Sequence, residues 1–248
     1  MAKTKFPTEI VDLPSKGTKL YPETSALRKG QVELRYPTAR DEDILTNQSY
    51  IEKGIVIDKL LQSLIVDPDI NYTELLIGDK NALIIAARIL GYGAKYSFEY
   101  LGEKQEVDLS EIPAKDLEPE VLAATKNEFE FTCPVSKNAL TFKLLTHADE
   151  QAIGQELRGL KKLNKNGIVP EMSTRLKYMI TAVNGNSETA TIRSFVDNEF
   201  LAVDSRAFRK YVARIQPDIP LKFYPEGSSE EGVNIPIGVS FFWPDAEG

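Results

Sequence analysis

Sulfur and imidazole are scarce in this chain of 248 residues, which has one cysteine, Cys133, one histidine, His147, one tryptophan and three methionines. A lone cysteine excludes an intrachain disulfide and any Cys-x-x-Cys zinc knuckle, and it fits a reducing compartment. No G-x-S-x-G elbow is present to support a nucleophilic serine. The nearest approach to a phosphate fingerprint, GYG at 91–93, lacks a third glycine and falls where a helix should end, whereas phosphate cradles lie at helix starts. No stretch approaches the roughly 18 to 20 apolar residues of a membrane span, and the opening MAKTKFPTEIVDLP has no long apolar run, so synthesis and retention in a cytoplasm are expected. Positive charge is short as well: 30 Lys and Arg stand against 37 Asp and Glu, a net charge of -7. The basic footprint for nucleic acid or an anionic membrane is missing, and protein partners are expected instead.

What is present is the composition of a folded protein, with 42% hydrophobic and 27% charged residues. The length suits one large domain or two units of about 120 residues. Residues 1–30 carry Pro7, Pro14, Pro22, Gly17 and Gly30 and read as an extended N-terminal arm. VELRY (32–36) alternates as a strand does, and Thr38 precedes Asp41 at the spacing of a reciprocal helix cap. A helical stripe follows Gly54 (Ile57, Leu60, Leu61, Leu64, Ile65) and stops at Asp67-Pro68. GDKNALIIAARILGYG (78–93) is apolar nearly all round, which predicts a buried helix with Asp79 as its cap. KYSFEYLGEKQEVDL (95–109) reads as a hairpin about Gly102-Glu103, and IPAKDLEPE (112–120) as a linker.

The second half repeats the order of the first. Leu140, Phe142 and Leu144 alternate, Thr146 follows, and Asp149-Glu150 come next, as Val32, Leu34 and Tyr36 precede Thr38 and Asp41-Glu42. GIV occurs at 54–56 and at 167–169, the second time ahead of Met172, Leu176, Met179, Ile180 and Val183. LLIGDKNALIIAARI (75–89) is matched by FLAVDSRAFRKYVARI (200–215), with Asp79 against Asp204, Ala82 against Ala207 and Leu83 against Phe208. Six features recur in register, and the expected fold is α+β: two diverged copies of a strand, three-helix, β-hairpin unit, over residues 31–125 and 126–248.

The candidates for chemistry are few. Asp41, Glu42 and Asp43 stand together, but a metal or acid/base site needs ligands converging from elsewhere, and none has recognisable spacing. Carboxylates in a first helical turn meet free amides and the positive end of the dipole, so capping is the expected role. His147 falls at a helix start and is expected to be exposed there; Cys133, on a strand, is expected in the core. SRAFRKYVARI (205–215) sorts Ala207, Phe208, Tyr211, Val212 and Ile215 from Arg206, Arg209, Lys210 and Arg214, an amphipathic helix first and a docking face for an acidic partner second. VNIPIGVSFFWPD (233–245) alternates like a strand that Pro236 keeps off a central position. Completing the core is its default role, and an edge with an aromatic patch that docks a partner is the sharper one.

In combination LPSKG (13–17), VELRYPTARDEDILTNQSYIEKG (32–54), GDKNALIIAARILGYG, the FKLLTHADE block and the terminal FFWP (241–244) resemble the baseplate hub and hub-assembly protein family of T4-like bacteriophages, over nearly the whole chain. The resemblance implies a non-enzymatic component of the hub of a contractile tail, binding other baseplate or tail proteins in the host cytoplasm during assembly, with the virion baseplate as a further location if it is retained. It carries no catalytic residue, cofactor or metal. The surfaces expected to bind partners are the loop Leu13, Pro14, Ser15, Lys16 and Gly17 and the aromatic end Phe241, Phe242, Trp243 and Pro244. A transient hub-assembly chaperone, absent from the virion, and a metal-dependent hydrolase built on Asp41 to Asp43 are the alternatives.

Overall fold

The computed structural model describes residues 6–163, 169–225 and 232–242. Among them the architecture is α+β, with ten α-helices and four small antiparallel sheets. The first half opens with β1 (Thr8–Asp12) and β2 (Gln31–Arg35), paired so that Val11 faces Val32 and Thr8 faces Arg35. Three helices follow, α1 (Ala39–Leu45), α2 (Gln48–Glu52) and α3 (Val56–Leu64), and the chain then turns back to bridge Leu34 through Ile65. The long helix α4 (Ile77–Tyr92) leads into the hairpin β3 (Lys95–Tyr100) and β4 (Glu103–Asp108). Leu101 and Gly102 both have positive φ (52° and 82°), the two-residue turn whose twist matches paired strands.

After α5 (Pro119–Ala123) the second half begins with β5 (Phe129–Thr132) and β6 (Ala139–Phe142), then α6 (His147–Leu163) and α7 (Glu171–Met179). Strand β7 (Ile180–Val183) completes a sheet of order β5-β6-β7, with Ile180 opposite Phe142. Helices α8 (Thr189–Asn198) and α9 (Ala202–Ile215) precede the short pair β8 (Lys222–Phe223) and β9 (Val233–Asn234), and α10 (Val239–Phe242) ends the described chain.

Several expectations need correction. Among the described residues, 6–30 are not an arm: β1 is a strand of the first sheet, and Leu13, Leu20, Tyr21 and Leu27 behind it are buried. The prolines fall outside the paired residues, where a missing N–H costs nothing. Ile180 and Val183 do not extend α7. The β-branched run ITAV leaves the helix at Met179 and pairs with β6, while Gly167 and Ile168 of the second GIV lie outside the described residues. The terminal VNIPIGVSFFWPD is no long strand, because pairing stops at Asn234, ahead of Pro236, and Val239–Phe242 coil so that Phe241 and Phe242 both turn inward. The stretch 112–120 connects the halves but is tied down. The Lys115 ammonium donates to the carbonyls of Ala213, Arg214 and Gln216 at the C-terminal end of α9, a favourable place for a cation, and Glu118 and Glu120 both pair with Arg214.

One contiguous apolar core runs through both halves. The α4 helix is buried on nearly every side, as its composition predicts. The β3–β4 hairpin rests on residues between 223 and 241: Tyr96 packs edge-on against Phe241, Phe98 against Phe223, and the Tyr96 hydroxyl donates to the Pro236 carbonyl at 3.1 Å. The boundary near residue 125 therefore divides the sequence without dividing the core.

Candidate functional site at the seam between the halves

The carboxylates that open α1 are spent on the fold. Both the N–H and the hydroxyl of Thr38 donate to Asp41 Oδ2, at 2.8 and 2.9 Å; Arg35 grips both carboxylate oxygens at 2.7 Å, and Ser63 donates to Oδ1 at 2.9 Å. Burial pushes the Asp41 carboxyl up, but the hydrogen bonds from Arg35, Thr38 and Ser63 prevail and hold it far below the usual carboxylate range. Glu42 is half-buried and Asp43 exposed, so the three neighbours do not converge. The start of α6 has the same form. Thr146 N–H and Oγ1 donate to Asp149 Oδ2 at 2.9 and 3.0 Å, and Lys143, six residues ahead as Arg35 is of Asp41, pairs with Oδ1 at 2.7 Å.

A second carboxylate pair anchors loops. Asp79 and Asp204 each occupy the third position of a helix, α4 or α9, and each reaches outward to a loop instead of capping its own helix. Asp79 accepts from the Ser15 N–H at 2.9 Å, the Ser15 hydroxyl at 2.7 Å and the Tyr21 hydroxyl at 2.5 Å; Asp204 accepts from the N–H groups of Val135 and Ser136 at 2.8 and 3.0 Å. Burial raises the Asp79 carboxyl above its ordinary range, whereas for Asp204 the two amide hydrogen bonds outweigh burial and lower it. In each loop a lysine takes the left-handed conformation, Lys16 at φ 50° and Lys137 at φ 63°. Cys133 stands where Leu13 does, its N–H donating back across the strand pair as Leu13 does, and it is fully buried, as expected.

These contacts decide the fate of the expected binding residues. Leu13, Pro14 and Ser15 are interior, held there by Asp79 and the core, so they are corrected from surface to anchor. Lys16 is exposed and Gly17 half-buried, in a left-handed turn where an added Cβ would lie 2.3 Å from the Arg28 carbonyl oxygen. Phe241 and Phe242 have no exposed surface, because the last helical turn lays them against Tyr96 and the core, while Trp243 and Pro244 lie outside the described residues.

The halves meet along a short backbone bridge with a polar cluster beside it. The His147 N–H donates to the Leu75 carbonyl at 2.8 Å and the Ile77 N–H to the Leu145 carbonyl at 3.3 Å, joining the start of α4 to the start of α6. Next to the bridge, Pro217 lies over Gly78 so closely that a Cβ there would meet its carbonyl oxygen at 1.8 Å, and Asn81 donates to Asp218 at 2.9 Å. Behind it Asp58 accepts from the Tyr72 hydroxyl at 2.9 Å and pairs with Lys80 at 2.5 Å. His147 is buried, not exposed as expected. Its Nδ1 lies 3.4 Å from the Lys80 ammonium, a donor only, so the ring proton belongs on Nε2, which is 3.7 Å from Asp58 and makes no hydrogen bond. Burial, and then the Lys80 charge, push the imidazole below its ordinary range and keep it neutral at pH 7. A polar cleft of about 350 Å³ opens over this cluster, lined also by Glu150, Gln151 and Arg158. Glu150 is already paired with Arg175, and no group of three or more His, Cys, Asp or Glu among the described residues could hold a metal.

Nothing in the sequence marks this seam: no local pattern joins Asp58, Lys80 and His147, which only the fold brings together. The outer face of the second half is equally unmarked, with Val135, Leu201 and Val203 55%, 44% and 53% exposed around the start of α9. No family model, curated protein or solved structure matches the chain.

Proposed function

We propose that the chain is a non-enzymatic component of the baseplate hub of a contractile-tail bacteriophage, acting by binding other baseplate or tail proteins. The observation that carries this reading is the combination of blocks LPSKG, 32–54, GDKNALIIAARILGYG, FKLLTHADE and FFWP, in that order along the chain. The fold gives the combination a physical meaning. LPSKG and GDKNALIIAARILGYG meet in the Ser15–Asp79 contact, the 32–54 block holds Arg35, Thr38 and Asp41, FKLLTHADE supplies Lys143, Thr146 and Asp149, and FFWP buries two phenylalanines.

Two further observations favour binding over catalysis. The Asp41 carboxylate that would start a metal-dependent hydrolase already receives five donor contacts. On α9, Arg206, Arg209 and Lys210 are exposed with no ion-pair partner among the described residues, beside the apolar Leu201 and Val203. The two halves are read as diverged copies of one unit, on the strength of the repeated Thr–Asp caps, the repeated helix-to-loop aspartates and the repeated return to the sheet at Ile65 and Ile180.

Deleting the gene from its phage and complementing it in trans tests the role: tails should lack a hub without it and regain one with it, and intact hubs in its absence would end the proposal. Quantitative mass spectrometry of finished particles then separates a retained subunit in the virion from a transient assembly factor of the host cytoplasm.

A further inference from the structure

The two halves carry equivalent surfaces in different states of cover. In the first half, the carbonyl of Leu75 and the N–H of Ile77, flanking Leu76 at the start of α4, are paired with the second half's His147 and Leu145. Leu76 precedes Asp79 by three residues, as Leu201 precedes Asp204, so Phe200 and Ala202 are the second half's counterparts of Leu75 and Ile77. No hydrogen bond joins the Phe200 carbonyl or the Ala202 N–H to another described residue. Around them lie Val135, Leu201 and Val203, exposed where the first half's counterparts Leu76 and Gly78 are buried.

The complementary element is bare as well. Thr38 and Asp41 match Thr146 and Asp149, so Pro37 and Ala39 stand where Leu145 and His147 do. The Pro37 carbonyl and the Ala39 N–H likewise make no hydrogen bond with a described residue. Tyr36 and Ala39 beside them are exposed, whereas Leu144 and His147 are buried.

We propose that the start of α9 in one copy of this chain binds the 36–39 segment of a second copy, reproducing between molecules the bridge that joins the halves within one. The Ala39 N–H of the second copy would donate to the Phe200 carbonyl, and the Ala202 N–H to the Pro37 carbonyl of the second copy. Tyr36 would cover the apolar Val135, Leu201 and Val203. The two surfaces differ and lie on different halves, so the contact is head-to-tail, and a bound pair still presents one open surface at either end. Val203 stands where Gly78 does, so the close approach of Pro217 to Gly78 is not repeated. Without that approach the association is expected to be reversible. The occupant is chosen because this chain already contains the matching pair in its bound form.

Sedimentation velocity of the purified full-length chain across a concentration series tests the proposal. The wild type should shift to larger species as concentration rises. Val203→Glu and Val135→Glu, on one surface, and Tyr36→Glu, on the other, should each remain at monomer mass. An equimolar mixture of Val203→Glu and Tyr36→Glu should form a species of twice the monomer mass and nothing larger, because each variant keeps the surface the other has lost. A wild type that stays monomeric throughout, or a mixture that fails to dimerise while the wild type associates, would overturn it. All three substitutions are at exposed positions, and unchanged thermal unfolding of each variant separates lost association from lost folding. The test uses the chain alone, so its failure leaves the hub reading standing, and a failed hub reading leaves it standing.

Discussion

Replacing Asp41 and Asp149 by Asn, one at a time, measures how much of each cap is geometry and how much is charge. Asn keeps the shape and one acceptor oxygen, so it can still receive the N-cap amide, but it offers Arg35 or Lys143 no negative charge. At Asp41 the loss comprises the two charge-assisted bonds to Arg35, about 1.5–3 kcal/mol, and part of a cap worth about 1 kcal/mol. The Arg35 side chain is only 20% exposed and would be left without its anion, so the sum should come to about 3 kcal/mol. At Asp149 the partner Lys143 is 33% exposed and makes one contact, which brings the loss nearer 1 kcal/mol. Urea unfolding followed by far-ultraviolet circular dichroism at pH 7 reads both. The pH dependence gives a second check. Asp41 is held far below the ordinary range in the fold and titrates near 4 in the unfolded chain, so its stabilisation is complete above about pH 5 and is lost as pH falls from about 4 toward the folded value. The gap between wild type and Asp41→Asn should therefore be flat from pH 7 to about 5 and shrink below about 4. Equal losses for the two variants, or a gap that persists unchanged at pH 3, would refute the assignment of Asp41 stability to its ion pair.

Other outcomes follow from single contacts. Asp79→Ala strands the Ser15 N–H, the Ser15 hydroxyl and the Tyr21 hydroxyl in the interior and should cost about 3–5 kcal/mol, with hydrogen exchange at Ser15 rising by more than elsewhere in the first half. Gly78→Ala forces Pro217 away and should cost about 3 kcal/mol, with exchange increased at 217–221. Phe241→Ala empties a fully buried site and should cost about 3–5 kcal/mol in thermal or denaturant unfolding; a loss near zero would restore that residue to the surface role its sequence suggests. His147 is depressed in the fold, so its stabilisation is present above about pH 6.5 and is lost as pH falls below that value. His147→Gln should flatten the stability profile between pH 7 and 5.

The helices and the main hairpin were legible because each depends on neighbours in sequence. Thr38 and Asp41 are three residues apart, the stripe of Leu60, Leu61 and Leu64 is local, and the hairpin turn is local too, although it falls at Leu101-Gly102, one residue ahead of the expected Gly102-Glu103. Long-range pairing was not legible. Nothing near Asp79 says that it will hold Ser15 and not its own helix, and nothing near His147 announces Lys80. Residues 6–30 depart from the expected arm because their prolines all lie outside the paired segment Thr8–Asp12 and so remove no bond of the strand pair. TEIVDLP (8–14) lies against EFEFTCP (128–134), Leu13 with Cys133, and the strand expected for the second was equally open to the first. The 233–245 stretch departs from a strand although its apolar positions alternate, because Pro236 and Gly238 end the extended run and Val239–Phe242 coil inward. Of the expected binding residues, Leu13, Pro14, Ser15, Phe241 and Phe242 therefore build the frame instead. The open surface at Val135, Leu201 and Val203 carried no mark in the sequence, because exposure of apolar side chains depends on what the fold leaves uncovered.

The packing of Tyr96 and Phe98 against Phe241 and Phe223 sets an order on synthesis. When a ribosome has released the chain up to residue 125, the hairpin that closes the first half faces water with its aromatic side bare, and its cover, Phe223 and Phe241, is still to be made. The half that emerges first is thus completed only after the second. A nascent first half would wait as an unfinished, adhesive intermediate until residues 223–242 arrive, and breaking the chain near residue 125 would leave two fragments that need each other in order to fold.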